Sequence, residues 1–164
     1  MSPSSEESAR EALEDYRAKI ACEIPAEDEL PRGEANSGVM VVLEPPYTPA
    51  VLDALARSLE SVEHPLALVV EADERLARRM LSAAPAAVVA VGSDAARCVD
   101  ETEYPLARVR FSESPVGEWF VWSKGVRGLV LPPLAPALED EEAKRGFWKA
   151  FLALRGLERG IESG

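Results

Sequence analysis

Val126-Arg127-Gly128-Leu129-Val130-Leu131-Pro132-Pro133-Leu134-Ala135-Pro136-Ala137 is the stretch on which the fold turns. It opens as a short apolar strand, stops at a proline-stiffened turn, and leads into an amphipathic helix carrying Lys144 and Trp148. Proline has no backbone N–H, so Pro132-Pro133 cannot continue a strand ladder. The helix, predicted over about residues 139–157, places Ala143, Phe147, Ala150, Phe151 and Leu154 at helical spacing.

The same alternation recurs upstream. Val39-Met40-Val41-Val42-Leu43 is a continuous apolar run, as expected of a strand buried on both faces. Thr48 is placed to cap the next helix, with Pro49 at its first position. Val51, Leu52, Leu55 and Leu59 form the stripe that helix would bury. Residues 66–70 read as a second strand. Asp73 is placed to cap a second helix bearing Leu76, Met80 and Leu81, with Arg78 and Arg79 on its wetter side. Residues 86–91 form a third strand, and Gly92-Ser93-Asp94 turns it into a short helix through Cys98. Further strands fall near residues 106–111, 118–123 and 127–131, the first two pairing as a hairpin across Ser114-Pro115-Val116-Gly117. Alternating strands and helices predict an α/β protein, a three-layer α/β/α arrangement around a mainly parallel sheet.

Residues 1–37 differ from the rest. A helix is expected over residues 6–21, with Ala9, Leu13, Tyr16 and Ile20 on one face. An acidic linker follows, punctuated by Pro25, Pro31 and Gly33. The expected organisation is therefore a helical arm and linker at 1–37, an α/β domain at 38–158, and a tail at 159–164.

A length of 164 residues suits one domain with a substantial core. No apolar run approaches the roughly 18 residues a membrane span needs, and no charged-then-apolar leader opens the chain, so a soluble, cytoplasmic protein is expected. Eighteen basic against 29 acidic residues give a formal charge of −11. That field opposes phosphate backbones, so DNA binding is expected to be weak or absent. Apart from Lys144-Arg145, Arg78-Arg79 is the one adjacent basic pair. Cys22 and Cys98 lack metal-ligand spacing, and two thiols cannot hold a four-thiolate iron–sulfur cluster. His64, the single histidine, precedes Pro65 and reads as an exposed turn residue. No metal or cofactor is expected.

Several segments, taken in order, resemble the uracil-DNA glycosylase superfamily. Leu131 to Ala137 and its following helix are similar to that family's C-terminal strand, turn and helix. Leu43-Glu44-Pro45-Pro46 stands where its iron–sulfur branch carries Gly-Glu-Ala-Pro-Gly. Ala84 through Ala96 is similar to a family Pro-x-x-Ile-Val-Ala-Leu-Gly-x-x-Ala segment. Glu14 to Cys22 and Leu30 to Glu34 resemble the branch's opening helix and linker. The resemblance implies a uracil-DNA glycosylase-like fold and a pocket at Glu44, Pro45, Pro46, Tyr47, Gly92, Asp94, Pro133, Ala135 and Pro136.

The family's chemistry does not follow. Ala135 stands where the family has the histidine that stabilises the uracil anion, and an alanine side chain offers no proton. The turn Pro45-Pro46-Tyr47 enters the Thr48 helix at once, leaving no room for the loop that orients a water and reads the base. No catalytic residue is therefore assigned. A weaker likeness joins the chain to the psi subunit of the bacterial DNA polymerase III clamp-loader complex, carried by Pro136-Ala137-Leu138 and Trp148. It implies a non-catalytic role.

Other patterns have ordinary structural explanations. Trp119, Phe120 and Trp122 can stack bases, but in neighbouring strand positions they divide between core and covered face. Asp140-Glu141-Glu142 suits a helix N-terminus, whose dipole favours negative charge. Glu44 also reads as a structural acid closing a strand.

Three expectations result. The first is a catalytically degenerate binding or assembly module for DNA repair or replication, its partner another protein. The second is a divergent glycosylase using Glu44, Tyr47 or Asp94. The third is an ordinary α/β domain of convergent likeness.

Overall fold

A computed structural model describes residues 30–157. The expected helix at residues 6–21, Cys22 with its neighbouring linker, and the tail at 159–164 lie outside the described residues. Five strands form one sheet: β1 (Val39–Leu43), β2 (Leu68–Glu71), β3 (Ala87–Val91), β4 (Phe120–Ser123) and β5 (Val126–Leu131). Their spatial order is β2-β1-β3-β5-β4. All neighbours run parallel except β4, which pairs antiparallel with β5. Among the described residues four α-helices accompany the sheet: α1 (Pro49–Ser61), α2 (Leu76–Ala83), α3 (Ser93–Glu101) and α4 (Glu141–Phe151).

Two apolar clusters explain why β1 and β3 carry no polar residue. Val39, Val41 and Leu43 point to one face, where Leu52 and Leu55 of α1 and Phe147 and Phe151 of α4 cover them. Met40 and Val42 point to the other, against Leu76 and Met80 of α2 and Ala95 and Val99 of α3. A strand covered on both faces needs apolar side chains at every position. Helices on both faces of a mainly parallel sheet make an α/β architecture.

Local signals fix most boundaries. Thr48 Oγ1 accepts the Val51 amide at 3.2 Å, and Pro49 occupies the first turn of α1. Its missing N–H costs nothing there, because that amide would have no helical partner. Val51, Leu52, Leu55 and Leu59 are the buried residues of α1. Asp140 caps α4 by accepting the Ala143 amide at 2.9 Å.

Other boundaries differ from the sequence reading. The second strand begins at Leu68, because the His64 carbonyl accepts the Ala67 amide and holds the preceding residues in a turn. Asp73 caps by a different route: its carboxylate accepts the Arg75 amide at 2.9 Å, while Arg75 takes the N-cap position. Leu81 is 65% exposed, on the outer side of α2. The last helix is shorter, with 3-10 turns at Ala135–Leu138 and Leu152–Gly156 on either side of α4.

The hairpin is the main correction. Residues 106–111 form no strand, and β4 pairs with β5 across Lys124-Gly125. Gly125 takes φ +76, a left-handed conformation that glycine adopts without penalty. The Asp100 carboxylate instead captures residues 111–112, accepting the Phe111 amide at 2.6 Å and the Ser112 hydroxyl at 2.6 Å. Phe111 opens a 3-10 turn at Phe111–Glu113 and is fully buried. Ser114 to Gly117 is no hairpin turn either, because the Gly117 amide donates to Val130 at 2.8 Å, alongside β5.

Residues 30–37, read as linker, pack onto this sheet. Leu30 is buried in the α1-side cluster, and Arg32 exchanges backbone hydrogen bonds of 3.0 and 2.7 Å with Val69.

Candidate functional site

The strand order reverses direction between β1 and β3. The chain leaves β1 toward β2 on one side, while β3 and β5 lie on the other. In open α/β sheets the crevice at such a point, beyond the carboxyl ends of the strands, is where ligands usually bind. A cavity of about 280 Å³ lies there.

Six of the nine pocket residues expected from sequence line it: Glu44, Pro45, Pro46, Pro133, Ala135 and Pro136, with Leu43, Val51 and Leu134 completing the wall. The three others lie apart from it. Gly92 sits behind Glu44. Tyr47 packs against the α1-side core. Asp94 lines a separate cleft of about 450 Å³ with Asp73, Glu74 and Cys98, and pairs with Arg97.

Glu44 is the one ionisable residue of the cavity. Its Oε1 accepts the amides of Asp94 at 2.7 Å and Ala95 at 2.9 Å, the opening turn of α3. That helix has Gly92 at its N-cap and no side-chain cap of its own. Glu44, delivered by the neighbouring strand, supplies one. A negative group is favoured there by the unpaired amides and the helix dipole. In many α/β proteins a ligand's phosphate or carboxylate takes that place; here the chain's own carboxylate does.

Gly92 is required by that contact. It has φ +103, and a Cβ on it would fall 2.2 Å from the Glu44 carboxyl carbon. Only a residue without a side chain lets the carboxylate approach.

The remaining wall is chemically poor. Pro45, Pro46, Pro133 and Pro136 have no N–H, so none of them can donate to a developing oxyanion. The Ala135 methyl packs against the core. Such a cavity offers shape and apolar contact, with one carboxylate already engaged.

Nearby titratable groups are tuned away from reactivity. Burial pushes the Tyr47 phenol up to about 12, assisted by the charges of Glu71, Asp73 and Cys98 and opposed by the Ala72 backbone. Burial also raises the Cys98 thiol, with Glu101, Asp73 and Glu74 adding to the shift. A thiol in that setting stays protonated at neutral pH and is a poor nucleophile. For Asp73, burial works upward but is outweighed by hydrogen bonds from Arg75, which hold the carboxyl below its usual range.

The other sequence candidates have structural roles. His64 is half-buried rather than exposed. Its Nε2 lies 3.0 Å from the Leu154 carbonyl, which can only accept, so that nitrogen carries the proton. Trp122 is buried, stacked on Tyr104 with ring centroids 4.9 Å apart. Trp119 Nε1 donates to the Ala153 carbonyl at 2.8 Å. Among the described residues no cluster of three or more His, Cys, Asp or Glu side chains is placed to hold a metal ion. None of the described helices is long and apolar enough to cross a membrane.

The capping role of Glu44 and the link it makes to Gly92 were missed by sequence reasoning. The available signal was a strand-end acid in a chain whose Gly92-Ser93-Asp94 turn makes no side-chain cap. The sequence matches no protein-family profile and no curated protein.

Proposed function

We propose that the chain is a catalytically degenerate relative of the uracil-DNA glycosylases that acts as a binding or assembly module in DNA repair or replication. The observation that carries this reading is the strand-end cavity. Segments separated widely in sequence, at Glu44 to Pro46 and Pro133 to Pro136, meet there in one wall. Their order was the basis of the resemblance, and their meeting supports it. The same wall has Ala135 in place of a histidine, prolines in place of amide donors, and a carboxylate already bound to α3.

The enzyme alternative would use Glu44, Tyr47 or Asp94. Asp94 pairs with Arg97 outside the cavity, and Tyr47 is half-buried against the core. Neither placement favours it. Another protein is the expected partner, because a charge of −11 opposes the counterion release that drives most DNA affinity.

Single-turnover cleavage of oligonucleotides containing uracil, hypoxanthine or a mismatch tests the proposal. No base release above background is expected. Enzyme-dependent release that disappears on Glu44→Ala would overturn it. Pulldown from the native cell tests the partner class, and recovery of DNA without protein would count against an assembly role.

A further inference from the structure

A second cleft, of about 360 Å³, lies over β2 between α2 and the chain at residues 31–35. Its floor is apolar, with Leu68, Val70 and Pro31, and Arg75, Arg78 and Arg79 line it. Its volume lies within the roughly 300–1,000 Å³ range of small-molecule sites.

The three guanidinium groups are not equivalent. Arg75 is spent on two carboxylates, reaching Asp73 at 2.8 Å and Glu71 at 3.2 Å. Its charge is thereby offset within the chain. Among the described residues no carboxylate lies within ion-pair distance of Arg78 or Arg79. Arg79 Nε is also enclosed and has no hydrogen-bond partner. Being enclosed, that atom is out of reach of a ligand in the cleft, so contact falls to the terminal nitrogens of the two guanidinium groups.

We propose that this cleft binds a small phosphomonoester, with Arg78 and Arg79 taking the phosphate and the apolar floor taking the body of the molecule. Guanidinium groups match phosphate oxygens in paired, charge-assisted hydrogen bonds. Arg78 and Arg79 leave the helix about 100° apart, so it is their long stems, both reaching the cleft lining, that bring the two guanidinium groups to one ligand. A longer polyanion would meet the field of the acidic surface along its length.

Calorimetric titration of the full chain at low ionic strength, with AMP and with inorganic phosphate as probes, tests this. Saturable AMP binding is expected, weakened by about tenfold or more in Arg78→Gln and in Arg79→Gln. Arg57→Gln removes the same charge from the exposed surface of α1 and is expected to leave affinity unchanged. Absence of saturable binding by either probe overturns the proposal, as does equal weakening by Arg57→Gln, which marks a diffuse charge effect. Arg78 is exposed, so Arg78→Gln decides the matter if Arg79→Gln fails to fold; unchanged affinity in it is a refutation. An oligonucleotide without terminal phosphates that binds where AMP does not also overturns the assignment.

Discussion

Removing the Glu44 side chain is expected to destabilise the protein through α3, a helix on which Glu44 does not reside. Two short hydrogen bonds, at 2.7 and 2.9 Å, join its carboxylate to the first amides of α3. Loss of an N-cap acceptor costs about 0.5–2 kcal/mol. Loss of a negative charge at a helix N-terminus adds about 0.3–1 kcal/mol, with exposure keeping it low. The bond to Asp94 lies at an exposed position, so water can replace it. Glu44→Ala should therefore cost about 2 kcal/mol, seen as a fall in Tm of roughly 4–8 °C for a domain of this size. Glu44→Gln keeps an acceptor oxygen and should cost about half as much.

Urea unfolding followed by tryptophan fluorescence, to which buried Trp122 contributes, measures both variants. Gly92→Ala extends the test. Alone, it meets the carboxyl carbon at 2.2 Å and the strain of φ +103. With Glu44 already alanine, only the strain remains, so the double variant should be less unstable than the sum by about 1 kcal/mol. A Glu44→Ala cost below about 0.5 kcal/mol, or additivity of the two changes, would refute the reasoning.

The Tyr47 phenol has its pKa raised from 10.0 to about 12. Its contribution to stability is fully present below the unfolded value and is lost as pH rises through the folded one. Wild-type protein should thus lose stability more steeply than Tyr47→Phe across that alkaline window; parallel profiles in pH-dependent urea melts would contradict the burial argument. A Cβ on Gly128 would lie 2.5 Å from Phe120 Cζ and 2.8 Å from Phe111 Cζ. Gly128→Ala should cost about 1–3 kcal/mol by displacing those rings. Unaltered near-ultraviolet dichroism with unchanged stability would show that the aromatic cluster yields freely.

Features written in adjacent residues were legible in the sequence. The apolar run of β1 and the Thr48-Pro49 opening of α1 need no distant partner to be interpreted. Residues 106–111 misled because Leu106, Val109 and Phe111 suggest an extended apolar segment. Leu106 has φ +63, and the backbone after Arg110 is held by the Asp100 carboxylate. Neither constraint is visible locally. Glu44 and Gly92 each stood out as strand-end residues, but their dependence on one another follows only from β1 lying beside β3. The arginine cleft was hidden for a similar reason. Arg78 and Arg79 read as a wet helix face until residues 31–35 and β2 supply the opposite wall.

The backbone pairing of Arg32 with Val69 also bears on how copies of this chain behave toward one another. β2 ends the sheet, and its outer amides and carbonyls would otherwise form a template for a strand from another molecule. Arg32 satisfies the Val69 amide and carbonyl, and the Leu66 carbonyl accepts the Glu34 amide at 2.9 Å. A cut made after residue 37 would strip this cover and leave Leu68 to Glu71 available for intermolecular strand addition. Precipitation or strand-exchanged dimers in such a truncated protein would then report a naked sheet margin.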